Sequence, residues 1–293
     1  MTLAPRYVYR LVAMAVLLAF VAFFFVPIIW LLLAPSKTDS QLVSQSPFAF
    51  GSLGTFAHTF HHVVTYEGGL ILTWLKNSAI YAFGGTAIAL AAAIPAGYGL
   101  ALTEFIGRRA LLAITLVVMI MPATALVLPL FLEANAVHLV GTIWSVILPF
   151  GFFPFGVYLA YIYFSSAIPR DLLAAARMDG ATEWGVFRYV ALPLARPIVA
   201  LVAFFAFVAN WNNYYLPFVM TYDNSQYPLQ VGLPVLISSS PTFNPTGIGV
   251  GSTAIYRPDL AMATLIAVAP VLIVFLFAQR TLVSGMLAGA TKE

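Results

Sequence analysis

The sequence contains no cysteine and few charged residues. Cysteine is absent from all 293 positions, which excludes disulfide bonds and metal sites built from thiolates. Charged side chains make up 8% of the chain and hydrophobic ones 62%, whereas soluble domains carry roughly 25% charged residues. This composition indicates a membrane protein.

Two further absences limit how the protein can use energy. No Gly-Lys dipeptide occurs in the chain, so it lacks the loop whose backbone and lysine hold the phosphates of ATP. We therefore predict that the chain binds no cofactor of its own and does not hydrolyse ATP. Its long apolar segments also lack Asp, Glu, Lys and Arg, the ionisable groups on which proton and voltage coupling usually depend. A proton-driven carrier is therefore disfavoured.

Six apolar segments are long enough to cross a membrane as helices. Each runs for about 20 residues, the length that a helix needs to span a hydrocarbon core about 30 Å thick. Their bounds are residues 11–33, 77–102, 110–132, 140–164, 197–220 and 260–278. Membrane strands alternate polar and apolar residues, whereas these segments are apolar on all sides. We predict an all-α membrane protein in which residues 1–293 form a single transmembrane domain.

The first apolar segment follows Arg6 and Arg10, so a cleaved signal peptide and a membrane anchor are the two possibilities. The segment is longer than the roughly 7 to 15 apolar residues of a signal peptide, and the sequence LLLAPSK lacks a clear cleavage site. We predict an anchor.

Basic residues are concentrated on one side of the predicted spans. If the N-terminus is cytoplasmic, only three basic residues lie outside, namely Lys37, Lys76 and Arg257. The cytoplasmic side then receives Arg6, Arg10, Arg108, Arg109, Arg170, Arg177, Arg188, Arg196, Arg280 and Lys292. Because cytoplasmic loops carry the excess of Lys and Arg, we predict a multi-pass protein with both termini in the cytoplasm. These charges are scattered over short loops, so we predict no nucleic-acid partner.

One cytoplasmic connection, residues 165–196, is long and polar. Pro169 suits a first helical position, and Asp171 places a negative charge in the first turn. Gly180 is a candidate for the left-handed residue that ends a helix. Thr182 is a plausible cap for a second helix that ends at Leu192-Pro193. The pattern predicts a helix, a glycine turn and a second helix.

Both predicted helices of this connection have patterned faces. Mostly small side chains recur at helical spacing in the first, at Leu172, Ala175, Ala176 and Asp179. In the second, the apolar face contains Trp184, Phe187 and Ala191. A simple helical linker is the alternative, but the pattern favours an element that docks onto another protein in the cytoplasm.

The sequence IPRDLLAAARMDGATEWGVFRYVALPLARP, residues 168–197, resembles the EAA loop of bacterial ABC importer permeases of the maltose-type (MalG-like) sugar importer class. Three further stretches resemble the same family: NSAIYAF at residue 77, NWNNYYLPFVM at residue 210 and the tail QRTLVSGMLAGATKE. The chain departs from the family pattern at Ala174, which replaces the glutamate for which the loop is named, and at Asp171, which replaces another glutamate. The departure puts in doubt an ion pair of that glutamate with the ATPase.

The resemblance implies the type I ABC importer permease fold and a division of labour in the bacterial inner membrane. A second permease subunit would complete a heterodimer surrounded by membrane lipid. Two ATPase subunits would carry ATP and Mg, and an extracytoplasmic sugar-binding protein would present the substrate. The residues that would couple to the ATPase are Asp171, Ala174, Ala175, Ala176, Arg177, Asp179, Gly180 and Ala181. Within the tail at 279–293, residues 285–292 would reach between the ATPases, with a frayed terminus as the alternative.

A polar cluster in the fifth predicted span is a candidate for the translocation path. Asn210, Asn213, Tyr214 and Pro217 would share one helical face, with Asn212 and Tyr215 beside them. Amides and phenols are poorly placed against lipid, so this face is expected to contact protein or a wet cavity. Neutral amides and aromatic rings suit a sugar. Alternatively, the cluster bonds to the partner permease or caps a bend before Pro217.

Sugar transport has two alternative functions, and the histidines raise the separate possibility of a metal site. A permease for a glycerol phosphate or a polyol is the nearest alternative, but a phosphorylated substrate would favour Arg or Lys in the path. An intramembrane enzyme would need a carboxylate pair, a histidine or a metal cluster at a membrane face, and we predict no catalytic residue. His58, His61 and His62 include a pair one helical turn apart, but no third ligand is evident and we predict no metal site.

Overall fold

The computed structural model describes residues 4–244 and 254–290, with side chains for residues 7–244 and 254–279. Over these ranges the secondary structure is helical, without strands, which confirms the predicted fold class. The helices are α1 (Ala4–Leu33), α2 (Asp39–Ser44), α3 (Leu53–Thr65), α4 (Leu70–Leu102), α5 (Arg108–Ile120), α6 (Val127–Ala136), α7 (Trp144–Phe150), α8 (Pro154–Ser166), α9 (Arg170–Met178), α10 (Glu183–Val186), α11 (Leu192–Leu194), α12 (Arg196–Trp211), α13 (Tyr215–Met220), α14 (Leu229–Ser239) and α15 (Arg257–Ala290).

Four stretches of the described chain are long and apolar enough to cross a membrane as single spans. They are Tyr7–Ser36, Leu70–Leu102, Trp144–Ser166 and Arg257–Gln279. These stretches correspond to the first, second, fourth and sixth predicted spans. The second span begins at Leu70 rather than at residue 77, because the helix extends beyond the uncharged segment and includes Lys76.

The third predicted span, residues 110–132, is not a continuous helix. Helix α5 ends at Ile120, and the chain bends by 101° before it continues through a short 3-10 turn at Ala123–Leu126 into α6. Pro122 explains the break, because proline lacks a backbone N–H and disfavours helical geometry in the residue before it. Met121 is accordingly extended, with φ −67° and ψ 133°.

The fifth predicted span, residues 197–220, is also wrong as a single helix. Helix α12 ends at Trp211, and α13 begins at Tyr215. Pro217 contributes to the break, since its ring would clash with the carbonyl of Asn213 in a continuous helix. The fourth span has a similar interruption at residues 151–153, immediately before Pro154. Three apolar segments are therefore interrupted by short non-helical breaks.

The helices form two compact units, residues 1–72 with 233–268 and residues 73–232 with 269–293. In the first unit the Lys37 side chain is buried and donates hydrogen bonds to the carbonyl oxygens of Ser46 and Pro47, at 2.8 and 3.2 Å. In the same unit His62 Nδ1 lies 3.0 Å from Asp259 Oδ1. These contacts hold the polar segment after α1 and join α3 to the start of α15.

Candidate functional site

The polar connection at residues 165–196, hereafter the coupling segment, lies in the second unit and forms the predicted helix, turn and second helix. Helix α9 ends at Met178, and Gly180 has a φ of +84°. Ala181 N–H donates to the Ala176 carbonyl at 3.0 Å, and Gly180 N–H donates to the Arg177 carbonyl at 3.1 Å. This pair of bonds is the Schellman ending of a helix, in which glycine adopts the left-handed conformation at least cost. The predicted conformation of Gly180 is confirmed.

The second half of the coupling segment is helical and contains a π-helical turn. Thr182 caps it as predicted, because its hydroxyl accepts a hydrogen bond from Gly185 N–H at 3.2 Å. Helix α10 continues through a π-helix at Phe187–Ala191 into α11, which ends at Leu194. The end lies close to the predicted Leu192-Pro193 boundary, whereas the π turn carries no signal in the sequence.

The coupling segment is fixed to the rest of the unit by one buried face. Leu173, Val186, Phe187 and Ala191 are buried in a cluster with side chains of α4, α8 and α12. The cluster includes Tyr98, whose ring lies 5.0 Å from that of Phe187. Burial of large apolar side chains contributes roughly 1.5 to 3 kcal/mol each, so this face anchors the segment.

The opposite face of the first helix is exposed. Of the residues predicted to couple to the ATPase, seven are exposed and Ala176 is partly buried; the exposed ones are Asp171, Ala174, Ala175, Arg177, Asp179, Gly180 and Ala181. Met178 protrudes beside them with 88% of its surface exposed. The segment therefore presents a surface of mostly small side chains, surrounded by charges.

Two details of the segment differ from the sequence interpretation. The spacing places Trp184 on the apolar face with Phe187 and Ala191, but Trp184 is 62% exposed. Its ring centroid lies 5.3 Å from that of Phe187. The buried anchor of the first helix is Leu173, which was not singled out. The predicted docking face, with Leu172, Ala175 and Asp179, is exposed.

An ion pair joins the two helices across the glycine turn. Arg177 Nε and Nη2 donate to the Glu183 carboxylate at 2.7 and 3.2 Å, a two-pronged arrangement. The hydrogen bonds from Arg177 lower the pKa of Glu183, and the same bonds raise the pKa of Arg177. The pair is solvent-exposed, so it aligns the helices more than it stabilises them.

The breaks in the three apolar segments line one cavity of about 300 Å3 in the second unit, hereafter the break cavity. Met121, Ala123 and Thr124 contribute from the α5–α6 break. Phe152 and Phe153 contribute from the α7–α8 break, and Asn213 from the α12–α13 break. Non-helical backbone at membrane depth is tolerated where protein or a water-filled cavity satisfies its polar groups. The broken helices therefore identify this cavity as the candidate site.

The break cavity brings together part of the predicted polar cluster. Asn210 and Asn213 line it, whereas Tyr214 does not and Tyr215 does. Tyr214 instead stacks on Phe218, with ring centroids 5.2 Å apart. The expected shared helical face does not exist, because residues 212–214 lie outside both α12 and α13.

The two asparagines are held in different ways. Asn213 Oδ1 accepts a hydrogen bond from Leu216 N–H at 3.2 Å, so it caps the start of α13, as the alternative interpretation proposed. Asn210 Nδ2 lies 3.5 Å from Thr86 Oγ1 of α4. A methyl group at Gly85 would lie 2.9 Å from Asn210 Nδ2 and 2.4 Å from Phe150 Cβ. The close approach of α4 thus requires glycine at this position.

Side chains of the NSAIYAF stretch hold the connection between α13 and α14. Asn77 Nδ2 donates to the carbonyls of Ser225 and Tyr227 at 2.7 and 3.0 Å, and Ser78 Oγ accepts from Leu229 N–H at 2.7 Å. In the sequence this stretch carries a family resemblance but predicts no structural role. The signal available in the sequence for this role was that Asn77 and Ser78, at the start of a predicted span, are polar and lie about one helical turn before Tyr81.

Two predicted elements lie outside the described part of the chain. The tail contact at residues 285–292 falls where side chains are not described, although backbone helix extends to Ala290. The sequence GIGVG at residues 247–251 predicts a flexible or turn-rich loop, and it also lies outside the described residues.

Comparisons with known proteins agree with this architecture. The family model "Binding-protein-dependent transport system inner membrane component" matches residues 93–287, which include the coupling segment and the break cavity. The arabinooligosaccharides transport system permease protein AraQ of Bacillus subtilis (strain 168) is 29% identical, over 99% of this chain and 98% of its own. The trehalose transport system permease protein SugB of Mycobacterium tuberculosis (strain CDC 1551 / Oshkosh) is 30% identical, over 93% of this chain and 94% of its own.

A solved structure has the same fold. It is described as the crystal structure of a bacterial ABC transporter involved in the import of the acidic polysaccharide alginate, and one of its chains superposes with a TM-score of 0.80. The alignment covers 96% of this chain and 98% of that chain, at 23% identity. With broken apolar helices around a cavity and an exposed helical segment anchored beneath them, the chain belongs to the family of binding-protein-dependent transport system inner membrane components.

Proposed function

We propose that the chain is the permease subunit of an ATP-driven ABC importer for a carbohydrate, in which it forms half of the translocation path. The observation that carries the proposal is the convergence of three helix breaks on one cavity. This cavity combines the amides of Asn210 and Asn213 with aromatic rings, and its described lining residues include no Asp, Glu, His, Lys or Arg. Sugar hydroxyls pair with amides, and the apolar faces of sugar rings stack on aromatic rings.

The substrate class follows from two lines of support. Relatives that align over nearly the whole chain are permeases for arabinooligosaccharides, trehalose and lactose. A phosphorylated solute such as a glycerol phosphate would need a cation near its phosphate, and the break cavity has neither Arg nor Lys in its lining. A neutral carbohydrate is therefore favoured over a glycerol phosphate.

Energy for import comes from partner subunits in this proposal. The chain has no phosphate-binding loop, so two separate ATPase subunits bind ATP and Mg. They dock onto the exposed face of the coupling segment, whose other face is anchored to α4, α8 and α12. A second permease subunit completes the path, and an extracytoplasmic binding protein delivers the sugar.

Orientation follows from the docking assignment. Because the ATPases and ATP are in the cytoplasm, the coupling segment lies on that side of the bacterial inner membrane. Both chain termini then also lie in the cytoplasm, as the distribution of basic residues favours.

The substrate class is tested by thermal stabilisation of the purified complex with its binding protein present. A panel of monosaccharides, disaccharides and oligosaccharides is compared with glycerol 3-phosphate and polyols. A ligand at free concentration L that binds the native state stabilises it by RT ln(1 + L/Kd) and so raises the unfolding temperature. We expect a carbohydrate to give the largest shift. Stabilisation by glycerol 3-phosphate alone would contradict the proposal.

A matched pair of variants tests the role of the break cavity. Tyr215→Ala removes a ring that lines the cavity, whereas Tyr214→Ala removes a neighbouring ring that does not. We expect Tyr215→Ala to reduce uptake at limiting sugar several-fold, with assembly and basal ATP hydrolysis retained. Equal uptake by the two variants would show that the cavity ring does not contact the sugar.

A further inference from the structure

A group of arginines surrounds two adjoining depressions where α4, α5 and α9 meet. The smaller depression, of about 140 Å3, is lined by Arg108, Arg170 and Arg177. The second is lined by Arg108 and Arg109, and both share Glu104. These five side chains are hereafter the arginine cluster. Neither depression belongs to the break cavity. Of the four arginines, only Arg177 is also among the residues predicted to couple to the ATPase.

Some of these guanidinium groups are already paired and others are available. Arg108 Nε and Nη2 donate to the carbonyls of Leu100 and Ala101 at 2.6 and 3.1 Å, which fixes Arg108 on the end of α4. Arg177 is paired with Glu183. Arg109 and Arg170 make no ion pair or hydrogen bond through their side chains to any described residue. With four arginines against Glu104 and Glu183, the local formal charge is about +2, which favours an anionic ligand.

The cluster lies on the side of α9 that faces the membrane helices. Arg170, Leu173 and Arg177 have the i, i+3, i+7 spacing of one helical face, and Leu173 is buried. Ala174 and Ala175 lie on the other side of the helix and are exposed. An ATPase docked on the exposed face would therefore not occupy the depressions, and the ligand has to come from the membrane side or from solution.

The surroundings of the cluster favour a lipid. The connection between α4 and α5 exposes two large apolar side chains, Phe105 and Ile106, immediately before Arg108 and Arg109. Apolar residues beside arginines, at the end of two apolar helices, are arranged as at a membrane interface, where cations meet phosphate groups while apolar side chains enter the acyl region. Basic pockets between membrane helices on the cytoplasmic side bind acidic headgroups.

We propose that the arginine cluster binds the phosphodiester headgroup of an anionic phospholipid of the inner leaflet. The phosphate oxygens accept hydrogen bonds from Arg109 and from the remaining N–H groups of Arg108, and Arg170 approaches from α9. Arginine suits this role because its planar donors match phosphate geometry. The inference rests on the proposed function only for the cytoplasmic placement of the cluster. Its consequence is that a bound lipid links the start of the coupling segment to α4 and α5.

Lipid retention by the intact transporter complex tests this assignment directly. The complex is reconstituted in nanodiscs of phosphatidylcholine with phosphatidylglycerol, extracted in detergent, and examined by native mass spectrometry for retained phosphatidylglycerol. We expect Arg109→Gln and Arg170→Gln each to weaken retention roughly fivefold, the effect of removing one basic residue near an anionic surface. Arg188→Gln is the matched control, because Arg188 lies in the coupling segment but outside the cluster.

Each outcome decides the proposal. Selective loss of phosphatidylglycerol in the two cluster variants, with Arg188→Gln unchanged, supports it. Equal retention by all variants, or an equal loss in the control, overturns it. Displacement of the lipid by millimolar inorganic phosphate would assign the cluster to a free anion instead. The measurement does not require transport, so failure of the carbohydrate assignment leaves the result interpretable.

Discussion

The coupling segment and the break cavity achieve defined shapes by different means. The coupling segment turns at Gly180 through hydrogen bonds within a few residues, and no atom lies within 4 Å of where a Gly180 side chain would begin. The break cavity depends on α4 passing close to Phe150 and Asn210, with no room for a side chain at Gly85. Gly180 is required for a left-handed backbone conformation, and Gly85 is required for a close helix crossing.

This difference predicts different consequences of substitution. A local turn fails by misdirecting the helix that follows it, while the remainder of the unit stays folded. A crowded helix crossing fails by pushing elements apart, because close-packed interiors adapt poorly to added volume. Substitutions at the helix crossing are therefore expected to impair folding, whereas substitutions at the turn are expected to impair coupling.

The largest effect is expected for Gly85→Val. A Cβ at this position would approach Phe150 Cβ to 2.4 Å, so α4 has to move. Overpacking of this kind costs about 1 to 3 kcal/mol, and we expect a lower unfolding temperature and loss of uptake. Gly99→Val in the same helix is the matched control, since the nearest atom to its Cβ is 3.9 Å away. Similar unfolding temperatures for the two variants would contradict a tight crossing.

Gly180→Val is expected to spare folding and impair coupling. The left-handed conformation at φ +84° costs a residue with a Cβ about 1 to 2 kcal/mol. Membrane insertion is expected to persist while co-purification of the ATPase or sugar-stimulated ATP hydrolysis is lost. Gly180→Asn tolerates the conformation better and is expected to restore both. Normal values in Gly180→Val would refute the docking role.

A smaller effect is expected at Asn213, where capping and sugar binding are separable. Asn213→Ala removes the cap of α13 and the amide, at a cost of about 0.5 to 2 kcal/mol for the cap. Asn213→Ser keeps a capping oxygen for Leu216 N–H but has no amide donor. We expect both variants to reduce uptake at limiting sugar, with basal ATP hydrolysis retained. Full uptake by Asn213→Ser would assign Asn213 to capping alone.

The smallest effect is expected for Glu183→Gln, which breaks the ion pair across the glycine turn. Because Arg177 lowers the pKa of Glu183 in the folded protein, the pair contributes stability above the usual pKa of 4.5. That contribution is lost as the pH falls through the lowered pKa. Since both side chains are well exposed, we expect less than about 1 kcal/mol. Unfolding temperatures of the wild type and variant should converge in acid; a difference that grows there would contradict the assignment.

The turn at Gly180 was predictable, whereas of the helix breaks only the bend before Pro217 was considered, as an alternative. Gly180 and Thr182 act through backbone geometry and hydrogen bonds within their own segment. Proline gives no comparable signal in this chain. Pro122 and Pro217 accompany breaks, yet helices α1, α4, α14 and α15 continue through Pro27, Pro95, Pro234 and Pro270. Whether a proline ends a helix depends on whether neighbouring elements satisfy the freed backbone groups.

Some residues of the candidate site could likewise be identified from the sequence, whereas others could be recognised only from the structure. Asn210 and Asn213 were identified from their polarity in an apolar segment, a property visible in the sequence. Tyr214 and Tyr215 were not distinguished correctly, because the choice between them depends on the break at residues 212–214. Likewise, Leu173 became recognisable as the anchor of α9 only once the cluster around Tyr98 was known.

The way α4 holds the connection after α13 has a consequence for how the protein can diversify. The α4 side chains donate hydrogen bonds to main-chain carbonyls of this connection. Trp74 donates to Asn224, Asn77 to Ser225 and Tyr227, and Tyr81 to Gln226. Main-chain atoms are present whatever residue occupies a position. The exposed side chains of Asn224 and Ser225 can therefore be exchanged while the loop keeps its attachment. Substitutions can therefore change the chemistry of this surface while α4 stays unchanged.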